Sequence, residues 1–266
     1  MSTEWKQLLA DPGPDGHIVQ LYQDPDFYGE AISYFAAEGF ARGDSIILVA
    51  TDENWRNISG RLVSKGFDVP ELFDRGQLTL LNATETLPKF MSGGMPDGGI
   101  FKPLARETIQ RAKCGGKYPT VRWWGEMVNV LYEDGNGSAS HRLEEYFDQV
   151  AHEETIAIFC SFLMDKYDPR IYDDAFANVC QTHGNVIPTH DYASHRAAIN
   201  QAVAEVVGPL HGPLLRSLMA WSSEAPGVPP SQAILLWIKD AMPHVFEDVL
   251  SRARAHDKSA PLAEGG

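Results

Sequence analysis

The sequence predicts an α/β protein whose mostly parallel sheet carries helices on both faces, followed by a small all-helical C-terminal region. Short apolar runs alternate with amphipathic helical stretches through the first two-thirds of the 266-residue chain, as in repeated βα units. The run Ser45–Ala50 (SIILVA) is apolar almost throughout, which is typical of a strand buried on both faces of a parallel sheet. These two observations favour parallel strands joined by crossover helices.

The individual elements follow from the same patterns. Strands are predicted at residues 17–22, 45–50, 77–82, 120–126 and 156–162. Helices are predicted at about residues 27–40, 53–65, 101–113, 138–152 and 171–182. Thr51 or Asp52 can cap the second of these helices. Residues 1–14 are expected to form a flexible N-terminus.

The region from residue 191 to residue 256 contains helical patterns and no β-rich run. Its predicted helices are 192–207, 214–221 and 231–254, and Pro243 should kink or break the last of them. We therefore divide the chain into the N-terminus (1–14), an α/β domain (15–190), a helical output or association region (191–256) and a disordered tail (257–266). The apolar band of the last helix should pack against its own domain, a partner protein or a second copy. We favour a homodimer.

Composition and charge exclude several classes of function. The net charge of −14 repels phosphate backbones, so direct nucleic-acid binding is not expected. No run approaches about 18 apolar residues, and the first residues lack the features of a secretory signal. Three cysteines, Cys114, Cys160 and Cys180, are too few and too scattered for a disulfide framework. These features predict a cytoplasmic protein that is not bound to a membrane.

No strand end offers a phosphate-binding loop. The candidate junctions read QDPDF, TDENW, NATET, GEMVN and SFLMD, and none contains GxxxxGK[ST]. The first three place carboxylates where phosphates would lie. ATPase activity is therefore not expected.

Polar and aromatic side chains stand where the predicted strands end. Ligands of doubly wound sheets bind outside the carboxyl ends of the strands. Trp123 and Trp124 should point to opposite faces of their strand, and a core position is favoured over a pocket wall. Glu126 is costly to bury without a partner. It either caps the following helix or serves a site, by orienting a water or holding a ligand.

A metal site is the weaker interpretation of the cysteines and histidines. Cys180 and His183 form one Cys-x-x-His pair, with Cys160 and His190 as further candidates. A strong zinc signature has two closely spaced pairs. Residues three apart on a helix also share a face for structural reasons, so no metal ligand is assigned.

Several short motifs, in order along the chain, resemble one known family. They are His17-Ile-Val-Gln-Leu-Tyr22, GDSIILVAT, Asn82-Ala-Thr-Glu85, Phe90-Met91, Trp124-Gly-Glu-Met-Val128, Gly135, Arg142-Leu-Glu144, Phe159-Cys160 and Cys180-x-x-His183. Over residues 15–190 the chain resembles the MEDS domain, the methanogen/methylotroph DcmR sensory domain.

The resemblance implies a RecA/KaiC-like fold that has lost its phosphate loop and serves as a sensor. It also implies that the domain perceives small hydrocarbon-type compounds or related signals, upstream of histidine-kinase or DNA-binding outputs. This chain departs from the family at Ser161-Phe162-Leu163, where an aromatic-Pro turn is usual. The usual output domain is replaced by the helical region 191–256, so the route of the signal is open.

We predict a non-enzymatic sensor that binds a small molecule, a hydrocarbon-like one included, or a signalling protein at the strand ends. Its C-terminal helices would transmit the signal, for example to transcription regulation. The predicted ligand-binding residues are His17, Tyr22, Trp124, Glu126, Cys160 and His183. No catalytic residue is assigned, and the cofactor is left unknown. The alternatives are a hydrolase that uses Glu126 as base with His17 or His183 nearby, and a protein-interaction scaffold with no sizeable pocket.

Overall fold

A six-stranded parallel sheet organises the chain in the computed structural model, which describes residues 4–14, 16–173, 176, 179, 182–208, 213 and 230–257. The strands are β1 (His17–Tyr22), β2 (Ser45–Ala50), β3 (Leu78–Asn82), β6 (Val121–Gly125), β7 (Ala157–Leu163) and β8 (Asn185–Ile187), in the order β3-β2-β6-β7-β1-β8. A separate hairpin pairs β4 (Met91–Ser92) with β5 (Met95–Pro96). The prediction of an α/β fold with a mostly parallel sheet is confirmed. The RecA-like relationship stays a prediction.

Helices follow most of the strands and cover both faces of the sheet. They are α1 (Glu4–Ala10), α2 (Pro25–Arg42), α3 (Asp52–Ser64), α4 (Val69–Asp74), α5 (Ala83–Thr86), α6 (Gly98–Ala112), α7 (Met127–Glu133), α8 (Gly137–Glu154), α9 (Tyr192–Val207), α10 (Pro230–Ala241) and α11 (Pro243–His256). Short 3-10 turns occupy Leu87–Lys89, Cys114–Gly116 and Pro169–Tyr172. Thr51 is the N-cap of α3, where its hydroxyl accepts from the Asn54 N–H.

Alternation along the strands separates two apolar cores. Ile47 and Trp123 belong to the core on one side, together with residues of α6 to α11, and we call this side the α8 face. Leu48 and Trp124 belong to the core on the other side with residues of α1 to α4, the α2 face. The predicted opposite orientation of the two tryptophans is confirmed. Both side chains are buried in the cores.

The N-terminus differs from the flexible segment that we predicted. Residues Glu4–Ala10 form α1, which packs on the α2 face. Trp5 and Leu9 are buried there, and the Trp5 ring meets Phe27 edge-on with centroids 5.5 Å apart. Three large apolar side chains in seven residues are too short a pattern to predict a helix from sequence, yet the burial of two of them anchors the segment.

The last part of the α/β domain also differs from the prediction. Strand β8 was not predicted, and it adds to the sheet edge beside β1 through the parallel pair Ile18–Asn185. In the predicted helix 171–182, the described residues 176, 179 and 182 are helical. Cys180, the predicted helix 214–221 and the tail beyond residue 257 lie outside the described residues.

The C-terminal helices dock on the α8 face of their own chain. As predicted, the last helical stretch breaks at Pro243, where α10 ends and α11 begins. Ile199, Leu235 and Phe246 lie in the same apolar core as the sheet, and the Phe246 ring meets Tyr172 with centroids 5.3 Å apart. This docking buries the apolar band. The output and homodimer roles stay predictions.

None of the helices in the described part of the chain combines the length and apolar character that crossing a bilayer requires.

Candidate functional site

The six residues predicted to form one crevice fall into two separate groups. One group lies under α8 on the α8 face: His17, Cys160 and His183. The other lies near the carboxyl ends of β1 and β6, toward the α2 face: Tyr22, Trp124 and Glu126. The strand pattern placed both groups near the sheet but could not show that they stand on different faces.

Glu126 follows β6 and is almost fully buried. Its Oε2 accepts hydrogen bonds from the Tyr28 hydroxyl, at 2.9 Å, and from the Asn54 side-chain amide. Its Oε1 accepts from the backbone N–H of Thr51. The carboxylate therefore ties the end of β6 to α2 and to the start of α3. It makes no capping bond to α7, the helix that follows it.

Aromatic rings pack around Tyr28, one of the donors to this carboxylate. Tyr22 stacks on Tyr28 with centroids 4.3 Å apart, and Trp124 meets Tyr28 edge-on at 5.9 Å. Trp124 also donates its indole N–H to Ser161 Oγ at 3.1 Å. Burial, followed by the negative charge of Glu126, raises the pKa of Tyr28 well above its usual range. Tyr28 therefore stays protonated and donates its hydroxyl proton to Glu126. Both oxygens of Glu126 accept hydrogen bonds from other residues of the chain.

Replacing Glu126 with glutamine is expected to cost about 1–3 kcal/mol of stability while the fold is retained. The amide keeps the shape of the carboxylate, but its NH₂ group must face either the Thr51 N–H or the Asn54 amide. Urea unfolding measures the loss. The control is Glu85→Gln, because Glu85 is an exposed glutamate. Equal stability of the two variants would contradict the anchoring role of Glu126.

Two histidines, a cysteine and a glutamate meet beneath α8. His17 comes from β1, Cys160 from β7, Glu144 from α8 and His183 from just before β8. No one of the four is more than 3% exposed. Glu144 Oε2 lies 3.2 Å from His17 Nε2, 3.3 Å from His183 Nε2 and 3.4 Å from Cys160 Sγ. Cys160 Sγ lies 3.6 Å from His17 Nε2.

The other nitrogen of each imidazole faces an acceptor outside the cluster. His183 Nδ1 lies 2.7 Å from the Val179 carbonyl oxygen, so this nitrogen carries a proton that it donates. His17 Nδ1 lies 3.5 Å from Asp148 Oδ1 on α8. Both Nε2 atoms consequently point at the same oxygen of Glu144.

Charge within the cluster is tightly coupled. Burial lowers the pKa of His17, but Asp148 and Glu144 outweigh it and raise that pKa to about 9. Burial acts to raise the pKa of Glu144, but His183 and His17 lower it to about 2. Burial and the neighbouring His17 lower the pKa of His183, while burial and Glu144 raise that of the Cys160 thiol. Without a metal, the cluster is a buried His17–Glu144 ion pair beside two neutral groups.

A cavity of about 540 Å³ opens beside the first turns of α8. Its apolar walls are Met95, Tyr132, Phe162, Met164 and Val179. Its polar lining is Ser138, Ser140, His141, Arg142, Glu144 and Thr182. Not one of the six predicted ligand-binding residues lines it. Glu144 belongs both to this lining and to the buried cluster, so the cavity lies next to the cluster.

A family model described as MEDS, MEthanogen/methylotroph, DcmR Sensory domain, matches residues 16–183. The chain belongs to the MEDS family. MEDS is a sensory domain family, so the chain has a sensory or regulatory role. The MEDS match begins one residue before His17 and ends at His183, and it therefore spans the whole buried cluster. A comparison with curated proteins gave no match.

Sequence reasoning did not place Glu144 in the candidate site, although the residue stands in one of the motifs that carried the resemblance. A signal was present in α8. Leu143, Phe147 and Val150 define its buried face, and Glu144 falls on that same face. A carboxylate at a core position requires a partner, and the partners are the two histidines.

Proposed function

We propose that this MEDS domain senses a small, weakly polar molecule in the cavity beside α8. One observation carries the proposal: Glu144 lines the cavity and also contacts His17 and His183 in the buried cluster. A molecule that enters the cavity would meet a charged group whose other contacts are with two histidines and a thiol. Binding would thereby perturb a charged network in the core of the domain.

The cavity suits a ligand of this class. Its volume falls within the range of about 300–1,000 Å³ that is usual for small-molecule sites. Five apolar side chains line the cavity together with six polar ones, which suits a weakly polar molecule, hydrocarbon derivatives included. A cavity of this size speaks against a pure scaffold. The hydrolase alternative has less support, because both oxygens of Glu126 accept hydrogen bonds from the protein.

The same cavity lies close to the C-terminal helices. Met164 lines the cavity, and Lys166 and Tyr167 lie two and three residues further along the chain. The Tyr167 hydroxyl donates to Asp257 Oδ2 at 2.6 Å, and Lys166 Nζ lies 3.2 Å from the same oxygen. Asp257 follows α11 directly. We propose that the signal leaves along this segment toward a signalling protein.

The test is a thermal-shift and native mass-spectrometry screen of short alcohols, haloalkanes and benzene. At a concentration of about 100 times its Kd, a true ligand should stabilise the full chain by about 2.7 kcal/mol. Ser138→Trp should abolish this response, because the exposed Ser138 stands at the rim and an indole there blocks the opening. Ser64→Trp is the control, since Ser64 is an exposed serine on α3.

A screen in which no compound stabilises the wild-type chain would count against the proposal. So would a ligand that stabilises Ser138→Trp as much as it stabilises the wild type, because that ligand would bind elsewhere.

A further inference from the structure

We propose that His17, Glu144, Cys160 and His183 bind one Zn²⁺ ion in tetrahedral geometry. The proposal goes beyond ligand sensing in the cavity and does not rest on it, since it concerns only the four side chains beneath α8.

Four of the six separations between the donor atoms match a tetrahedral site. With zinc bonds of about 2.0 Å to nitrogen or oxygen and about 2.3 Å to sulfur, neighbouring ligand atoms lie about 3.3–3.6 Å apart. The observed separations are 3.2 and 3.3 Å from Glu144 Oε2 to the two Nε2 atoms, 3.4 Å from Glu144 Oε2 to Cys160 Sγ, and 3.6 Å from Cys160 Sγ to His17 Nε2. All four ligand atoms lie within 4.8 Å of one another.

The orientation of the imidazoles supplies an independent argument. His183 donates its Nδ1 proton to Val179, so neutral His183 turns an Nε2 lone pair toward Glu144. That Nε2 atom is fully buried and has no hydrogen-bond partner among the described residues, and the same holds for Glu144 Oε1. A cation bound between His183 Nε2 and the Glu144 carboxylate gives both of these buried acceptors a partner.

Charge balance also favours a divalent ion. Zn²⁺ binds thiolate, carboxylate and neutral imidazole, so loading releases the thiol proton of Cys160 and the extra proton of His17 to solvent. One Zn²⁺ with the carboxylate of Glu144, the thiolate of Cys160 and two neutral imidazoles has no net charge. A neutral assembly is far cheaper to bury than separate ions.

The outer contacts of the histidines are those of metal ligands. A ligating imidazole normally gives its second N–H to a carboxylate or a carbonyl oxygen. His183 Nδ1 donates to the Val179 carbonyl oxygen at 2.7 Å, and His17 Nδ1 points toward Asp148 Oδ1 from 3.5 Å without a formed hydrogen bond. Four protein donors that are all buried make a closed site, as in structural zinc centres.

The first experiment uses the full-length wild-type chain. It is stripped with a chelator, reconstituted with Zn²⁺ or Co²⁺, and passed through gel filtration. We expect one metal per chain, the intense visible bands of tetrahedral Co²⁺, and a thiolate-to-metal charge-transfer band. X-ray absorption at the zinc edge should show one sulfur and three nitrogen or oxygen neighbours. A wild-type chain that retains no metal, or a shell without sulfur, would overturn the proposal.

Variants then assign the ligands. Cys160→Ser should abolish the charge-transfer band and weaken zinc binding by more than about 100-fold, whereas Asp148→Asn should weaken it by about 10–100-fold, as for other outer partners. The controls are Cys114→Ser and His244→Ala, which change an exposed cysteine and an exposed histidine and should bind as the wild type does. A charge-transfer band that survives in folded Cys160→Ser would refute the assignment. If that variant does not fold, the absorption measurement on the wild type decides.

Discussion

Replacing Arg122 with leucine is expected to lower the free energy of unfolding by about 3–5 kcal/mol, the usual cost of breaking a buried ion pair. Arg122 lies on β6 and is only 3% exposed. Its Nε donates to Asp44 Oδ2 at 2.7 Å, and its Nη atoms donate to the carbonyl oxygens of Leu9, at 2.9 Å, and Ala10, at 3.1 Å. In the leucine variant the buried carboxylate of Asp44 loses its ion-pair partner, and the carbonyl oxygens of Leu9 and Ala10 lose their guanidinium donor.

The measurement is urea unfolding, monitored by circular dichroism. Arg106→Leu is the matched control, because Arg106 pairs with Glu153 and Glu154 at the surface of α6 and α8, where such pairs contribute about 0–1 kcal/mol. If Arg122→Leu costs no more than this control, Arg122 does not anchor α1 as the contacts indicate.

Replacing Asp257 with alanine should release the C-terminal helices from the domain, at a cost of about 3–5 kcal/mol. Asp257 is 4% exposed and accepts hydrogen bonds from the Tyr167 hydroxyl, at 2.6 Å, and from Ser194 Oγ, at 3.2 Å. Lys166 Nζ lies 3.2 Å away, and burial lowers the pKa of that lysine despite the nearby carboxylates. Without Asp257 the Lys166 charge loses its partner in the interior.

Limited proteolysis and hydrogen exchange over residues 192–207 and 243–256 measure this release. Asp248→Ala is the control, since Asp248 lies on α11, the helix that Asp257 follows, and pairs only with the partly exposed Arg252 among the described residues. Cleavage of Asp257→Ala at the control rate, with unchanged exchange, would show that apolar contacts alone hold the helices.

The predicted elements that proved accurate are those with long patterns. β2 was predicted at its observed bounds because SIILVA is apolar along its length, and Pro243 fixed the break between α10 and α11. α1 has seven residues, which cover only about two helical turns. β8 has three residues, too few to show the alternation of a strand. Both elements were therefore missed. Their positions depend on burial against elements that are distant in sequence.

The candidate site was only partly predictable for a related reason. The sequence singled out His17, Cys160 and His183, and the structure brings these three together. It did not show that Glu144 is their common partner, because a contact between a helix and three other segments depends on the strand order. The sequence also could not separate these residues from Glu126, whose carboxylate faces donors on α2 and α3.

The position of β1 between β7 and β8 has a consequence for how the chain folds during synthesis. β1 is made first among the strands, yet its register partners in β7 and β8 come near the end of the α/β domain, as in the pairing of His17 with Ile158. At about 5–20 residues per second, the ribosome supplies these partners on the order of ten seconds later. Until then the apolar segment His17–Tyr22 has both hydrogen-bonding edges open. Such non-local pairing slows folding and leaves a nascent chain prone to aggregation. Among the strands, this segment therefore has the most to gain from binding to a chaperone during synthesis.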